Sequence, residues 1–151
     1  MEKSKTITVN RKAYHDYHIL DTMEAGIALK GTEIKSIRDN RVNIRDAYAK
    51  ADKGEMWLHN CHISKYQAGG HFDHDPDRPR KLLLHKYQIN DLVAETIKKG
   101  LTIVPLKLYI KNGKAKLELG LAKGKKQFDK RDTIARRETD RIIERSLKHR
   151  V

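Results

Sequence analysis

The stretch Ile103-Val104-Pro105-Leu106-Lys107-Leu108-Tyr109-Ile110-Lys111-Asn112-Gly113-Lys114-Ala115-Lys116-Leu117-Glu118-Leu119-Gly120-Leu121 decides the fold. Its first half alternates through Leu106, Leu108 and Ile110, and its second through Ala115, Leu117, Leu119 and Leu121. A period of two with one apolar face is the pattern of a half-buried strand. Asn112-Gly113 separates the halves, and Asn-Gly is the pair that best tolerates the positive φ angles of a two-residue hairpin turn. A hairpin with one apolar face is not stable alone, so further strands must cover that face.

Those strands lie upstream. Residues 46–51 and 55–63 read as two strands joined by the three-residue turn Asp52-Lys53-Gly54. On that alternation His59 and Cys61 share one face and His62 takes the other. Residues 26–30 alternate through Ile27 and Leu29 until Gly31 breaks the strand, and Thr32 then caps a short helix over 32–39. Ile34 and Ile37 share that helix's apolar face. Residues 64–80 lack periodicity and contain Gly69-Gly70, Pro76 and Pro79, the composition of a long exposed loop. The run Leu82-Leu83-Leu84 leads to a second helix near 88–99, with Ile89, Leu92, Val93 and Ile97 at helical spacing and Gly100 as its stop. Five or more short strands with two helices predict a mainly β protein, a small OB-like β-barrel with flanking short helices.

Charge divides the chain. Residues 121–151 hold eleven Lys/Arg against five Asp/Glu, so about half of the formal +13 sits on about a fifth of the 151 residues. We expect a barrel domain over residues 1–121 and a basic C-terminal tail over 122–151. The tail opens on Lys123-Gly124-Lys125-Lys126, and helix formers follow from Asp132. Its apolar residues are too few to dock on the body, and isolated helices of this length are marginal in water. The tail is therefore expected to be disordered when free and helical when bound.

A sequence pI near 9.8 favours a polyanionic partner. No run is apolar for anything near ~18 residues, which argues against a membrane. The N-terminal residues lack the roughly 7–15-residue apolar run of a secretion signal. With Cys61 as the one cysteine, no internal disulfide forms, and a cytoplasmic location is expected. Eight histidines raise the question of a metal or catalytic site. Strand alternation keeps His59, Cys61 and His62 from converging, and His71 and His74 read as solvated loop residues. We expect no metal, no cofactor and no enzyme. A nuclease built on His15 and His18 is the catalytic alternative. The stronger signal is basic. Asn10-Arg11-Lys12 precedes Tyr14, His15 and Tyr17, Arg78-Pro79-Arg80-Lys81 flanks the loop, and Lys123, Lys125 and Lys126 begin the tail. Cations interleaved with rings suit phosphates and unpaired bases.

Three strings carry a specific resemblance. Glu24-Ala25-Gly26-Ile27-Ala28-Leu29-Lys30-Gly31-Thr32-Glu33-Ile34-Lys35-Ser36-Ile37-Arg38, Arg78-Pro79-Arg80-Lys81-Leu82-Leu83-Leu84 and Gly120-Leu121-Ala122-Lys123-Gly124-Lys125-Lys126-Gln127-Phe128-Asp129-Lys130-Arg131 are similar, in order and spacing, to the bacterial small protein B family, the SsrA-binding proteins. The resemblance implies an OB-like barrel that binds the tRNA-like domain of tmRNA. It further implies delivery, with elongation factor Tu and alanyl-tmRNA, to stalled ribosomes for trans-translation. Carried over by position, it points to Asn10, Glu24 and Leu83 for tmRNA, with Arg11, Lys12, His15, Arg80 and Lys81 beside them. In the tail it points to Lys123, Lys125, Lys126, Phe128, Asp129, Lys130, Arg131 and Arg136 for the decoding centre and empty mRNA channel. Some members carry histidine at the position of Phe128, which keeps a stacking face and loses the ring's proton. A monomer is expected. The alternative outside the family is a general basic RNA-binding module of ribosomal-protein or RNA-chaperone type.

Overall fold

The computed structural model describes residues 4–66 and 73–125. In chain order the elements are β1 (Ser4–Val9), α1 (Arg11–Asp16), β2 (Tyr17–Ile27), α2 (Gly31–Arg38), β3 (Val42–Asn43), β4 (Tyr48–Asp52), β5 (Glu55–His59), β6 (His62–Ile63), β7 (Arg80–Leu83), α3 (Lys86–Lys99), β8 (Thr102–Lys111) and β9 (Lys114–Gly124). Seven strands run in the order β1-β8-β4-β5-β7-β2-β9, and β8 also pairs with β9. That last pairing joins the two sides of the sheet into a barrel-like ring, the expected mainly β architecture. Every pairing is antiparallel.

The β8–β9 hairpin forms where Asn112-Gly113 placed it. Asn112 and Gly113 take φ of 51° and 77°, and Lys111 faces Lys114 across the turn. The β4–β5 turn uses the same device with two residues rather than three, Lys53 at 51° and Gly54 at 79°. Inside the barrel Ile103, Leu108, Leu117, Leu119 and Leu121 meet Ala25, Met56, Leu58 and Leu82. Leu106 does not join them. The register shifts between Pro105 and Lys107, so Leu106 is an extra bulged residue, and alternation reverses across it. Leu106 instead packs with Val104, Ala122 and Ala13 on the outer face of the sheet, beneath α1. This close packing is why residue 120 is glycine within a continuous strand. A Cβ there would lie 2.8 Å from Leu106 Cδ1.

Several expectations are corrected. β9 continues through Gly124, because Ala122, Lys123 and Gly124 pair with Ile19, His18 and Tyr17 of β2. β2 is eleven residues long, where only its last two were foreseen as strand. Helix α1 was not foreseen, since Ala13 is its one buried residue and six residues show no stripe. Thr32 lies inside α2 rather than at its cap, and the Lys30 N–H is received by Glu33 Oε1 at 2.8 Å. Asn60, at φ 58°, breaks the 55–63 segment and flips its parity, so Cys61 is buried while His59 is only half-buried. Ile97 points to solvent, 79% exposed, while Ile89 and Leu92 hold α3 to the core. Among the described residues no helix is long and apolar enough to cross a membrane.

Candidate nucleic-acid interface

Two open clefts carry the basic and aromatic side chains. The first, about 670 Å³, lies along α1 and is lined by Asn10, Arg11, Lys12, His15, Asp16 and Arg45, among others. Asn10 forms part of its wall but spends its side chain on the fold. Asn10 is 3% exposed, its Oδ1 accepts the Ala13 N–H at 3.1 Å, and its Nδ2 donates to the carbonyls of Ile44 (3.0 Å) and Pro105 (2.9 Å). One amide thus starts α1 and ties it to the barrel, leaving no polar group of its own for a ligand. Lys12 reaches Asp46 and holds that carboxyl below the usual aspartate range, chiefly through their hydrogen bond. His15 is exposed, with Nδ1 3.0 Å from Asp16 Oδ1. Arg11 projects into solvent.

The end of β9 comes to this same cleft. Lys123 pairs with His18, and the Lys125 N–H donates to the Asp16 carbonyl at 3.0 Å. The chain therefore leaves the barrel at the rim that carries Arg11, Lys12 and His15. Lys126, Phe128, Asp129, Lys130, Arg131 and Arg136 lie outside the described residues, as does the expectation of a tail disordered when free and helical when bound.

The second cleft, about 710 Å³, opens over β2, β7 and the start of α3. Its lining brings together Glu24, Lys81 and Leu83, which sequence separates by more than fifty positions, and adds Lys53, His85, Lys86 and Lys116. Leu83 is 53% exposed, so it is not a core leucine. β7 alternates, burying Arg80 and Leu82 and presenting Lys81 and Leu83. Glu24 is fixed by Tyr109, whose hydroxyl donates to Glu24 Oε2, and by Lys111 Nζ at 3.5 Å from the same oxygen. The Tyr109 hydrogen bond, then Lys111, holds the Glu24 carboxyl below its ordinary range against the opposing effect of burial. Burial and the carboxylate together push the Tyr109 phenol up. Glu24 is thus an oriented anion able to accept from base amino groups.

Arg80 belongs to neither cleft. It is fully buried, with Nε donating to Glu33 Oε2 at 2.6 Å and its other nitrogens donating to the carbonyls of Cys61, Asp75 and Pro76. Arg78 donates to Glu33 as well. Burial opposes ionisation of Glu33, but the bonds from Arg78, the Lys30 N–H and Arg80 overcome it and leave the carboxyl below its ordinary range. Arg80 as an RNA contact is therefore corrected to a framework residue. His74 is corrected too, for it is 1% exposed, with Nε2 2.9 Å from the Ile63 carbonyl and Nδ1 2.9 Å from Thr32 Oγ1. Since a carbonyl only accepts, Nε2 carries a proton. The C-terminal part of the expected exposed loop is thereby clamped to α2. Burial raises the Cys61 thiol to about 11, which keeps it protonated. Among the described residues no three His, Cys, Asp or Glu side chains gather as a metal site.

Sequence reasoning missed Arg45 in the first cleft, Lys116 in the second, and Tyr109 and Lys111, which hold Glu24. The first is isolated in sequence. The others sit on the β8–β9 hairpin, and only strand register brings them beside Glu24 and Gly26.

The SmpB protein family matches residues 7–149. An SsrA-binding protein of Carboxydothermus hydrogenoformans is 61% identical over 146 residues, 97% of this chain and 98% of that protein. One of Geobacillus kaustophilus is 58% identical over 98% of this chain and 96% of its own length. A chain of a solved structure, described in the words "tmRNA-SmpB: a journey to the center of the bacterial ribosome", is 50% identical with a TM-score of 0.66, covering 80% of this chain and 85% of that one.

Proposed function

The chain belongs to the SmpB family, and from that premise we propose that it binds the tRNA-like domain of tmRNA and brings it to stalled ribosomes for trans-translation. The observation that carries this reading is the near full-length identity to proteins named for binding SsrA RNA. The second cleft, with Glu24, Lys81 and Leu83, takes the tRNA-like domain. Asn10 acts through position, by setting α1 and its cations. The basic tail, from Lys123 through Lys125, Lys126, Phe128, Asp129, Lys130 and Arg131 to Arg136, enters the decoding centre and the vacant mRNA channel. The protein works in the cytoplasm as a non-catalytic monomer, alongside elongation factor Tu carrying alanyl-tmRNA. The division into barrel and tail follows this division of labour, with the boundary moved from residue 121 to the end of β9 at Gly124.

The test is binding of the full chain to the tRNA-like domain at roughly 0.2 M salt in excess bulk tRNA, where phosphate neutralisation alone is weakened. Binding that survives the competitor is expected. Loss to the competitor favours a general basic RNA-binding module, and RNA cleavage that disappears on replacing His15 or His18 favours a nuclease.

A further inference from the structure

At the edge of the second cleft, where the chain runs from Leu83 into α3, stands an aromatic pair that the family strings do not include, one ring lining the cleft and the other beside it. His85, the residue preceding α3, and Tyr87, in its first turn, stack with ring centroids 5.6 Å apart and planes 10° from parallel. His85 lines the cleft, and Tyr87 is 63% exposed. Leu83, 53% exposed, extends the apolar surface. The charge around it is one-sided. Lys53, Lys81, Lys86 and Lys116 stand against Glu24 and Glu55, four cations to two anions. Both anions are already engaged, Glu24 by Tyr109 and Lys111 and Glu55 by Lys81 at 3.4 Å.

We propose that the His85–Tyr87 pair is a stacking platform for one unpaired nucleobase of the bound RNA, with Lys86 and Lys116 receiving the flanking phosphates. The inference rests on the tmRNA reading and adds to it the chemical group that the cleft takes. An exposed ring beside surplus positive charge matches the two halves of a nucleotide, the base face and its phosphate. A neutral apolar peptide would leave that charge unmatched. The molecule contains a contrasting case in Tyr48–His59, stacked at 5.3 Å across the β4–β5 ladder. There one hollow lined by Tyr48 holds Lys12 and Arg45 against Asp16 and Asp46, two cations to two anions, and the other holds the single cation Lys50, so the surplus is smaller than around His85.

The experiment compares full-length wild type, Tyr87→Ala, Tyr87→Phe and Lys86→Ala for binding to the tRNA-like domain across a salt series. Tyr87 is exposed, so its truncation leaves the core intact. Tyr87→Ala is expected to weaken binding by about 5- to 150-fold with the salt slope unchanged, the range for losing one stacked base. Tyr87→Phe is expected to bind like wild type, and Lys86→Ala to lower the salt slope by about one. Wild-type affinity in Tyr87→Ala, or equal losses in Ala and Phe, overturns the platform. A single-stranded RNA oligomer containing 2-aminopurine separates this from the tmRNA reading. If wild type fails to prefer the tRNA-like domain, that reading falls. The platform is still judged by the oligomer: quenching lost in Tyr87→Ala supports it, and equal quenching overturns it.

Discussion

Replacing Glu33 by glutamine removes one charge from a buried carboxylate that accepts four hydrogen bonds. Glu33 accepts from the Lys30 N–H (2.8 Å), Arg78 Nε (3.1 Å), Arg78 Nη2 and Arg80 Nε (2.6 Å). A glutamine offers one carbonyl oxygen in place of two carboxylate oxygens, so two of the four bonds are lost, at least one of them from a guanidinium, and its NH2 is set against those donors. Arg80 is fully buried and cannot turn to water. Breaking a buried pair by removing one partner costs about 3–5 kcal/mol, a large share of the roughly 5–15 kcal/mol of a domain. Trp57, the chain's one tryptophan, pairs with Lys81 of β7 and reports on this region, so urea unfolding followed by its fluorescence measures the loss. Removing the second charge as well, in Glu33→Gln/Arg80→Met, should recover part of it. The recovery is incomplete because the carbonyls of Cys61, Asp75 and Pro76 then lose their donor. The same variant bears on pH. Glu33 titrates lower when folded than its unfolded value near 4.5, so its contribution is fully present above that value and is lost as pH falls through the folded one. Wild type should therefore lose stability in that acid window more steeply than Glu33→Gln. A loss under about 1 kcal/mol at neutral pH, or single and double variants of equal stability, would refute the assignment of Glu33 as the anion that holds α2 to the 73–80 segment.

Three further outcomes are expected. Gly120→Ala drives a methyl against Leu106 and should destabilise the barrel by about 1–3 kcal/mol, read as a lower urea midpoint with unchanged slope. Tyr109→Phe removes the main influence that depresses the Glu24 carboxyl, so its pKa rises toward 4.5 and binding to the tRNA-like domain should begin to fail at a higher pH than in wild type; superimposable pH profiles count against an ionised Glu24 in recognition. Phe128→Ala, in the tail beyond the described residues, should impair ribosome engagement while leaving affinity for the tRNA-like domain nearly intact, and equal losses in the two assays count against separate roles for barrel and tail.

The hairpin at 103–121 was readable because three signals agree there: alternation, a turn pair suited to positive φ, and β-rich composition. What the sequence concealed is where one residue changes parity. Leu106 looks like a partner of Leu108 until a bulge sends it to the outer face, and Cys61 looks like a partner of His59 until Asn60 turns the chain. Neither is visible in a pattern of period two, which assumes an unbroken ladder. The candidate site divides similarly. Lys81 and Leu83 line the second cleft as the sequence suggests, whereas Arg80, immediately before them, is turned into the core, because in a charged run the sequence does not say which cation the strand turns inward. Only the presence of Glu33 as a buried acceptor decides it.

The two clefts lie at opposite ends of one strand, and this separation limits what either can do alone. β2 begins at Tyr17, beside Asp16 and the exit of β9, and reaches Glu24 and Gly26 at the second cleft. At a rise of about 3.3 Å per residue, the Asp16 and Glu24 positions lie roughly 25 Å apart, somewhat less with the bulge near Leu20. A compact RNA element resting on Glu24 and Leu83 therefore does not also cover Arg11 and His15. Only an extended or branched RNA, or two different RNAs, fills both clefts together. Such spacing suits a protein that holds one RNA at the far end of β2 while the near end, where the basic tail departs, meets another. On that arrangement, and against the grouping of Arg11 with the tmRNA contacts that the resemblance implies, Lys81→Ala and Arg11→Ala should weaken different interactions. Lys81→Ala is expected to lower affinity for the isolated tRNA-like domain with a reduced salt slope, and Arg11→Ala to lower ribosome association while leaving that affinity nearly unchanged. Equal losses of the isolated domain by both variants would mean that one RNA surface spans the length of β2, and the separation of roles by distance would fail.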